Sequence, residues 1–305
     1  MPRKVLSPST SAIVIDPLIA ARAIHLAATA MVAGGTLFAA VNVAPAGACP
    51  AMQAYLRWLR VYLWASLVLV ILSGAGWLVA VAANIDAPAW VVIAKTGFGH
   101  VWITRLVLAL ALLGVMGRRQ PGTGLSALLG MSLMGSLAWS GHAAGSPGGL
   151  GEIHRAADIL HLCACGAWLG GLAPLALLIV VALRQTKPAI ASFLQIAVRR
   201  FSAIGLLSVA TLLATGLLNT GMLAGSLSAL LGTDYGNLLL LKIALFGVMV
   251  TLAAINRVRL TPALPREAAA RGLARNALIE FSLGGAIIVI VAILGTLPPP
   301  VHMFM

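Results

Sequence analysis

The sequence predicts an all-α fold: a polytopic membrane protein whose eight-helix transmembrane bundle has both termini on the outer side. Three observations carry this. Hydrophobic residues make up 61% of the chain and charged residues 9%, whereas a soluble domain carries roughly 25% charge to cover itself with a water-compatible surface. The apolar stretches are continuous runs rich in Leu, Ala and Val, of about the 20 residues a span needs and without the alternation of a membrane barrel. Basic residues stand singly or in pairs between the runs, as topology determinants do.

Turn and charge breaks divide the runs into eight spans. The first, 18–41, starts near Leu18, is too long for a cleaved leader and is expected to remain as a helix. The second, 61–83, follows Arg57 and Arg60. Residues 84–100 are longer than a turn and carry Trp90 and Phe98, which suits a segment lying along the interface. The third span, 101–117, is the shortest and stops at Arg118 and Arg119; the fourth, 123–142, runs to a Gly/Pro/Ser-rich turn. The fifth, 154–183, ends at Arg184, and the sixth, 201–223, begins after Arg200. The seventh, 237–256, ends at Asn256-Arg257, and the eighth, 276–297, runs from Arg275 to Pro298. At the level of motifs no span repeats another, and residues 1–305 read as a single transmembrane domain.

Orientation follows from Lys and Arg. Arg57, Arg60, Arg118, Arg119, Arg184, Lys187, Arg199, Arg200, Arg257, Arg259, Arg266, Arg271 and Arg275 occupy the connections after the odd-numbered spans, while the opposite connections hold Lys95. The positive-inside rule then places both termini outside, which for a bacterial inner membrane is the periplasm. The net charge of +13 is thus a topology signal rather than a nucleic-acid surface. The cysteines, Cys49, Cys163 and Cys165, are odd in number and two lie in an apolar run, against a disulfide framework.

With that orientation all six histidines, His25, His100, His142, His154, His161 and His302, fall at the outer end. The richest stretch is 140–171, where His154, Asp158, His161 and Cys165 recur at helical spacing on one stripe. Such a stripe is about 16 Å long, too long for one metal ion, so it makes a ladder or two sites. Cys163 projects to the other side. Imidazole and thiolate suit Cu, Zn, Fe and Ni, and the metal-ligand candidates are His25, His142, His154, Asp158, His161 and Cys165. Met31, Met131, Met134 and Met249 read as core filling, Asn219 and Thr215 as cross-helix hydrogen-bonding groups. Arg22, Arg105 and Arg155 are placed in the first turn of outer-starting spans, where they can snorkel or pair with Asp158 or Asp16, and Lys242, about 9 Å into span seven, can snorkel as well. No nucleophile–base pair, phosphate loop or carboxylate pair is present, so an enzyme is not expected.

The runs RFSAIGLLSVATLLATGLLNTGML (200–223) and TDYGNLLLLKIALFGVMVTLAAINRVRLTP (233–262), with GHAAG…HRAADILHLCACGAWLGGLAPL and KTGFGHVWITR (95–105), resemble the copper resistance D family (CopD, PcoD). The likeness runs from about Asp16 to Pro298, with CopD-like C-terminal helices at 196–297. It carries over to His142, His154, Asp158, His161, Trp168, Asn219, Tyr235, Lys242 and Asn256; Cys163 and Cys165 are not part of the family pattern.

The resemblance implies a multi-pass bacterial inner-membrane protein that takes copper at the periplasmic face from a separate CopC-type carrier and passes it into or across the membrane. The alternative expectation is a haem b electron carrier of the cytochrome b561 kind, with a single periplasmic-side haem held by two of the outer histidines. A third is a docking partner whose histidines are structural.

Overall fold

The computed structural model describes residues 16–42, 50–118, 124–141, 148–184, 188–224, 227–264 and 266–299. Its helices are α1 (Pro17–Val41), α2 (Pro50–Asn84), α3 (Ala89–Lys95), α4 (Gly97–Met116), α5 (Gly124–Gly135), α6 (Gly148–Arg184), α7 (Pro188–Ala224), α8 (Leu227–Gly232), α9 (Asp234–Ile255) and α10 (Glu267–Leu294). A 3-10 turn over Ser136–Ser140 extends α5, and a π-helical turn over Asn256–Leu260 extends α9. Seven helices are long and apolar enough to cross a membrane, and Gly124–Ser140 supplies a shorter eighth. The protein is an all-α polytopic membrane bundle.

Helices α2, α7 and α10 begin before the basic residues expected to bound them, α10 at Glu267 ahead of Arg271 and Arg275. α2 starts at Pro50 and α7 at Pro188, each opening on a proline, whose fixed φ and missing N–H suit a first helical turn. Arg57, Arg60, Arg199 and Arg200 occupy the exposed faces of these extensions. The opposite faces bury Met52, Tyr55 and Leu59 on α2, and Ile190, Phe193 and Leu194 on α7. Tyr55 and Phe193 meet edge to face at 6.5 Å. A charge on one face of an amphipathic helix does not end it.

The helices alternate in direction, so α1, α4, α6 and α9 start where α2, α5, α7 and α10 finish. α1 and α6 form the centre, packed on one another and each on both α5 and α10. They approach backbone to backbone: a Cβ on Gly34 would strike the Gly166 carbonyl, and one on Gly170 the Ala30 carbonyl. Small residues permit such contact inside a membrane. Pro174 lies inside α6 and cannot donate to the Gly170 carbonyl one turn back. The Tyr62 hydroxyl, 3.1 Å away on α2, donates to that carbonyl instead.

The two halves of the chain correspond, contrary to the expectation that no span repeats another. His25-Leu26 and Gly34-Gly35 in α1 stand at the same spacing as His161-Leu162 and Gly170-Gly171 in α6. Ser73-Gly74 toward the C-terminal end of α2 matches Thr215-Gly216 in α7. α4 and α9 each follow a short helix and are capped by a threonine, Thr96 on the Gly99 N–H and Thr233 on the Gly236 N–H, both at 3.0 Å. Gly99 abuts the backbone of α3, and Gly236 that of α8. Arg105 and Lys242 follow at equal spacing from those threonines. The contacts of Gly34 with Gly166 and of Gly170 with Ala30 are reciprocal, as a two-fold relation between halves requires. Four crossings return the chain to its starting side, so the halves are parallel repeats about an axis along the helices.

Candidate functional site

The stripe on α6 meets a stripe on α7. Nδ1 of His161 is 2.9 Å from Thr215 Oγ1, and Thr215 donates its own proton to the Thr211 carbonyl at 2.6 Å. Toward the ring the hydroxyl is therefore an acceptor. The neutral imidazole carries its proton on Nδ1 and leaves the Nε2 lone pair free. One turn nearer the N-terminus of α6, Asn219 Nδ2 comes to 3.5 Å from Asp158 Oδ1. Thr215 and Asn219 thus bond across helices, as expected.

Lys242, half-buried on α9, is the charge that His161, Asp158 and Cys165 share as an electrostatic neighbour. Arg22 from α1 acts on Asp158 as well. Cys163 faces α5, its Sγ 3.6 Å from the Met131 carbonyl oxygen, on the side away from α7. His154 is 3% exposed. His142 and His302 lie outside the described residues, as do Cys49, Met303 and Met305. Met134 and Met249 are buried in the apolar core.

His25 stands apart from this stripe. Its Nδ1 lies 3.2 Å from the Val70 carbonyl oxygen and 3.1 Å from Ser73 Oγ, both on α2. A carbonyl only accepts, so Nδ1 holds the proton, and Nε2 is buried without a hydrogen-bond partner. The ring packs on Trp77 at 5.5 Å between centroids. Whereas Asp158, His161 and Cys165 share Lys242 as an electrostatic neighbour, His25 turns toward α2 and α4. Among the described residues no three His, Cys, Asp or Glu side chains converge on one metal position.

The arginines also depart from expectation. Arg105 does not snorkel: it is 3% exposed, hydrogen-bonded to Ser140 and 5.2 Å from the Trp77 ring centroid. Arg155 pairs with Glu152 at 2.9 Å rather than with Asp158. Arg22 lies against the backbone of Gly295 at the end of α10, where a cation complements the helix C-terminus.

A second polar group joins Trp168 and Asn256, which the resemblance names, to Glu280 and Asn276, which the sequence reading did not single out. Glu280 on α10 is 1% exposed and accepts from Asn256 Nδ2 at 2.7 Å, while Asn276 Nδ2 donates to Asn256 Oδ1 at 2.7 Å. The Trp168 indole is its other hydrogen-bonding partner. The available signal was a carboxylate inside an apolar run, which in a membrane marks a functional or structural network by default.

Comparison with known proteins matches the N-terminal domain of copper resistance protein D-like proteins to residues 13–152 and copper resistance protein D itself to residues 195–294. The chain is 35% identical over 249 residues to copper resistance protein D of Pseudomonas syringae pv. tomato, covering 75% of this chain and 76% of the relative. It is 33% identical over 234 residues to the inner membrane protein YebZ of Escherichia coli, covering 75% and 77%. Copper transport protein CutJ of Bacillus subtilis is 36% identical over 143 residues, 47% of this chain and 25% of that protein. No solved structure matches. A bundle of apolar helices with an oriented histidine stripe, together with relatives matched across both halves, places this chain in the copper resistance protein D family of multi-pass inner-membrane proteins.

Proposed function

We propose that this protein receives copper at the periplasmic end of the bundle, from a CopC-type carrier, and transfers it into or across the inner membrane. Both termini face the periplasm in this reading, which rests on the basic residues of the opposite connections. The observation that carries it is the His161 ring. Thr215 holds Nδ1, so Nε2 keeps its lone pair on the helix stripe that also carries Asp158 and Cys165, and a partner on the other ring nitrogen is the second-shell arrangement that orients a metal-binding imidazole. Copper is cargo here, and no residue is assigned a catalytic role. None of the relatives' names is that of an enzyme.

The test is metal analysis with an absorption spectrum on detergent-purified protein, wild type and His161→Ala. Copper retained by wild type and lost from the variant, without a Soret band, is the expected result. A Soret band without copper would replace the reading with a haem b electron carrier, and neither signal would leave a docking role. A C-terminal alkaline phosphatase fusion should be active; an inactive fusion overturns the orientation.

A further inference from the structure

The two-fold relation that pairs the halves pairs the histidine positions as well. His25 with Ser73 and Gly74 is the twin of His161 with Thr215 and Gly216: a Cβ on Gly74 would lie 3.2 Å from His25 Cε1, and one on Gly216 3.8 Å from His161 Cε1. The charges around the twins are not the same. Arg22 occupies in α1 the place of Asp158 in α6, and Arg105 the place of Lys242. One copy therefore has an acid and a cation, the other two cations and no acid.

We propose that the pocket between His25 and Arg105 is a binding site for a single small inorganic anion of halide size. The cavity, about 20 Å³, lies between α1, α2 and α4 and is lined by His25, Val70, Gly74, Trp102 and Arg105 among others, room for one water-sized particle. Arg105 gives one N–H to Ser140, while its Nε and its other terminal nitrogen are buried with no partner, as is Nε2 of His25. The chain has seven acidic residues, all described, and the ion pairs among them are Glu152 with Arg155 and Glu267 with Arg271; Arg105 has none. A guanidinium held in an apolar span without a counter-charge is costly. The faces of Trp77 and Phe98, 5.2 and 6.0 Å away, offset part of that cost. An anion in the cavity supplies the missing charge and accepts the free N–H groups of Arg105. Copper is repelled by the Arg105 guanidinium that lines the cavity.

Full-length protein in detergent, in gluconate buffer at fixed ionic strength, is titrated with chloride and then bromide, following the apparent Tm and tryptophan fluorescence. The expected result is a saturable response in wild type, kept in His161→Ala and lost in Arg105→Gln. Gly74→Ala narrows the pocket but keeps the Arg105 guanidinium, and should weaken the midpoint by about tenfold; it carries the test if Arg105→Gln does not fold. No saturable response in wild type, or an unchanged midpoint in the folded variants, overturns the proposal in favour of a single water. The copper reading stands or falls separately, because this readout contains no copper.

Discussion

Thr215 reaches His161 with an oxygen that has already given its only proton away: 2.9 Å to Nδ1 of the ring, 2.6 Å to the Thr211 carbonyl. The hydroxyl fixes which imidazole nitrogen is free. Thr215→Val keeps the shape of the side chain and removes the acceptor, so copper affinity should fall about 10- to 100-fold, the usual cost of losing such a partner. Thr215→Ser should stay near wild type. Competition titration of the purified protein with a chromophoric Cu(I) chelator reads both. Equal affinities for wild type and Thr215→Val would remove Nε2 of His161 from the ligand set.

The Gly34–Gly170 crossing makes a stability prediction. In Gly170→Ala the new methyl meets the Ala30 backbone, which cannot rotate aside, so the helices must separate. The expected loss is about 1–3 kcal/mol, as for other overpacked interiors, seen as a lower Tm in detergent. Gly76→Ala, where a Cβ finds open space, is the control and should leave Tm unchanged. Similar losses in both would deny the crossing its central place.

Lys242 places a positive charge among Asp158, His161 and Cys165. A cation entering that group meets repulsion from it, worth about 4 kcal/mol at a separation near 4 Å for an effective dielectric of about 20. Lys242→Met should therefore tighten copper binding by about tenfold or more in the same chelator competition. Lys242→Arg should not. Weaker binding in Lys242→Met would mean that the ammonium organises Asp158 rather than opposing the metal.

The eight helices were legible because each is a long apolar run, and the Thr215–His161 contact was half legible, since Thr215 reads as a cross-helix group. The duplication was not legible. Apolar positions in the two halves differ freely, as lipid and core accept Leu, Val, Ile or Ala alike. The polar landmarks that remain are few, and one pair, Arg22 and Asp158, has reversed its charge. The equal spacings of His25 to Gly34 and His161 to Gly170 stand in the sequence, but they gain their meaning when Gly34 and Gly170 are seen exchanging contacts. The separation of His25 from His161 was hidden for a related reason. Both lie in the N-terminal halves of their helices, but axial height says nothing of azimuth, and α1 and α6 turn these rings toward different neighbours, α2 and α7. Arg105 was misplaced because the sequence run does not show that α4 begins at Gly97, which puts the guanidinium a further turn inside.

Glu280 accepts hydrogen bonds at depth, and the identity of its head group can be separated from its charge. Glu280→Gln keeps an oxygen for Asn256 Nδ2 and the Trp168 indole. Glu280→Leu leaves both donors without an acceptor in a region that water does not reach, at about 1–3 kcal/mol for each orphaned group. The leucine variant should therefore show a clearly lower Tm than wild type, and the glutamine variant a small change. Asn256→Leu removes one donor together with the acceptor of Asn276 and should fall between them. If Glu280→Gln is as damaging as Glu280→Leu, hydrogen bonding is not what the carboxylate contributes. Its charge would then be the quantity the bundle is built around.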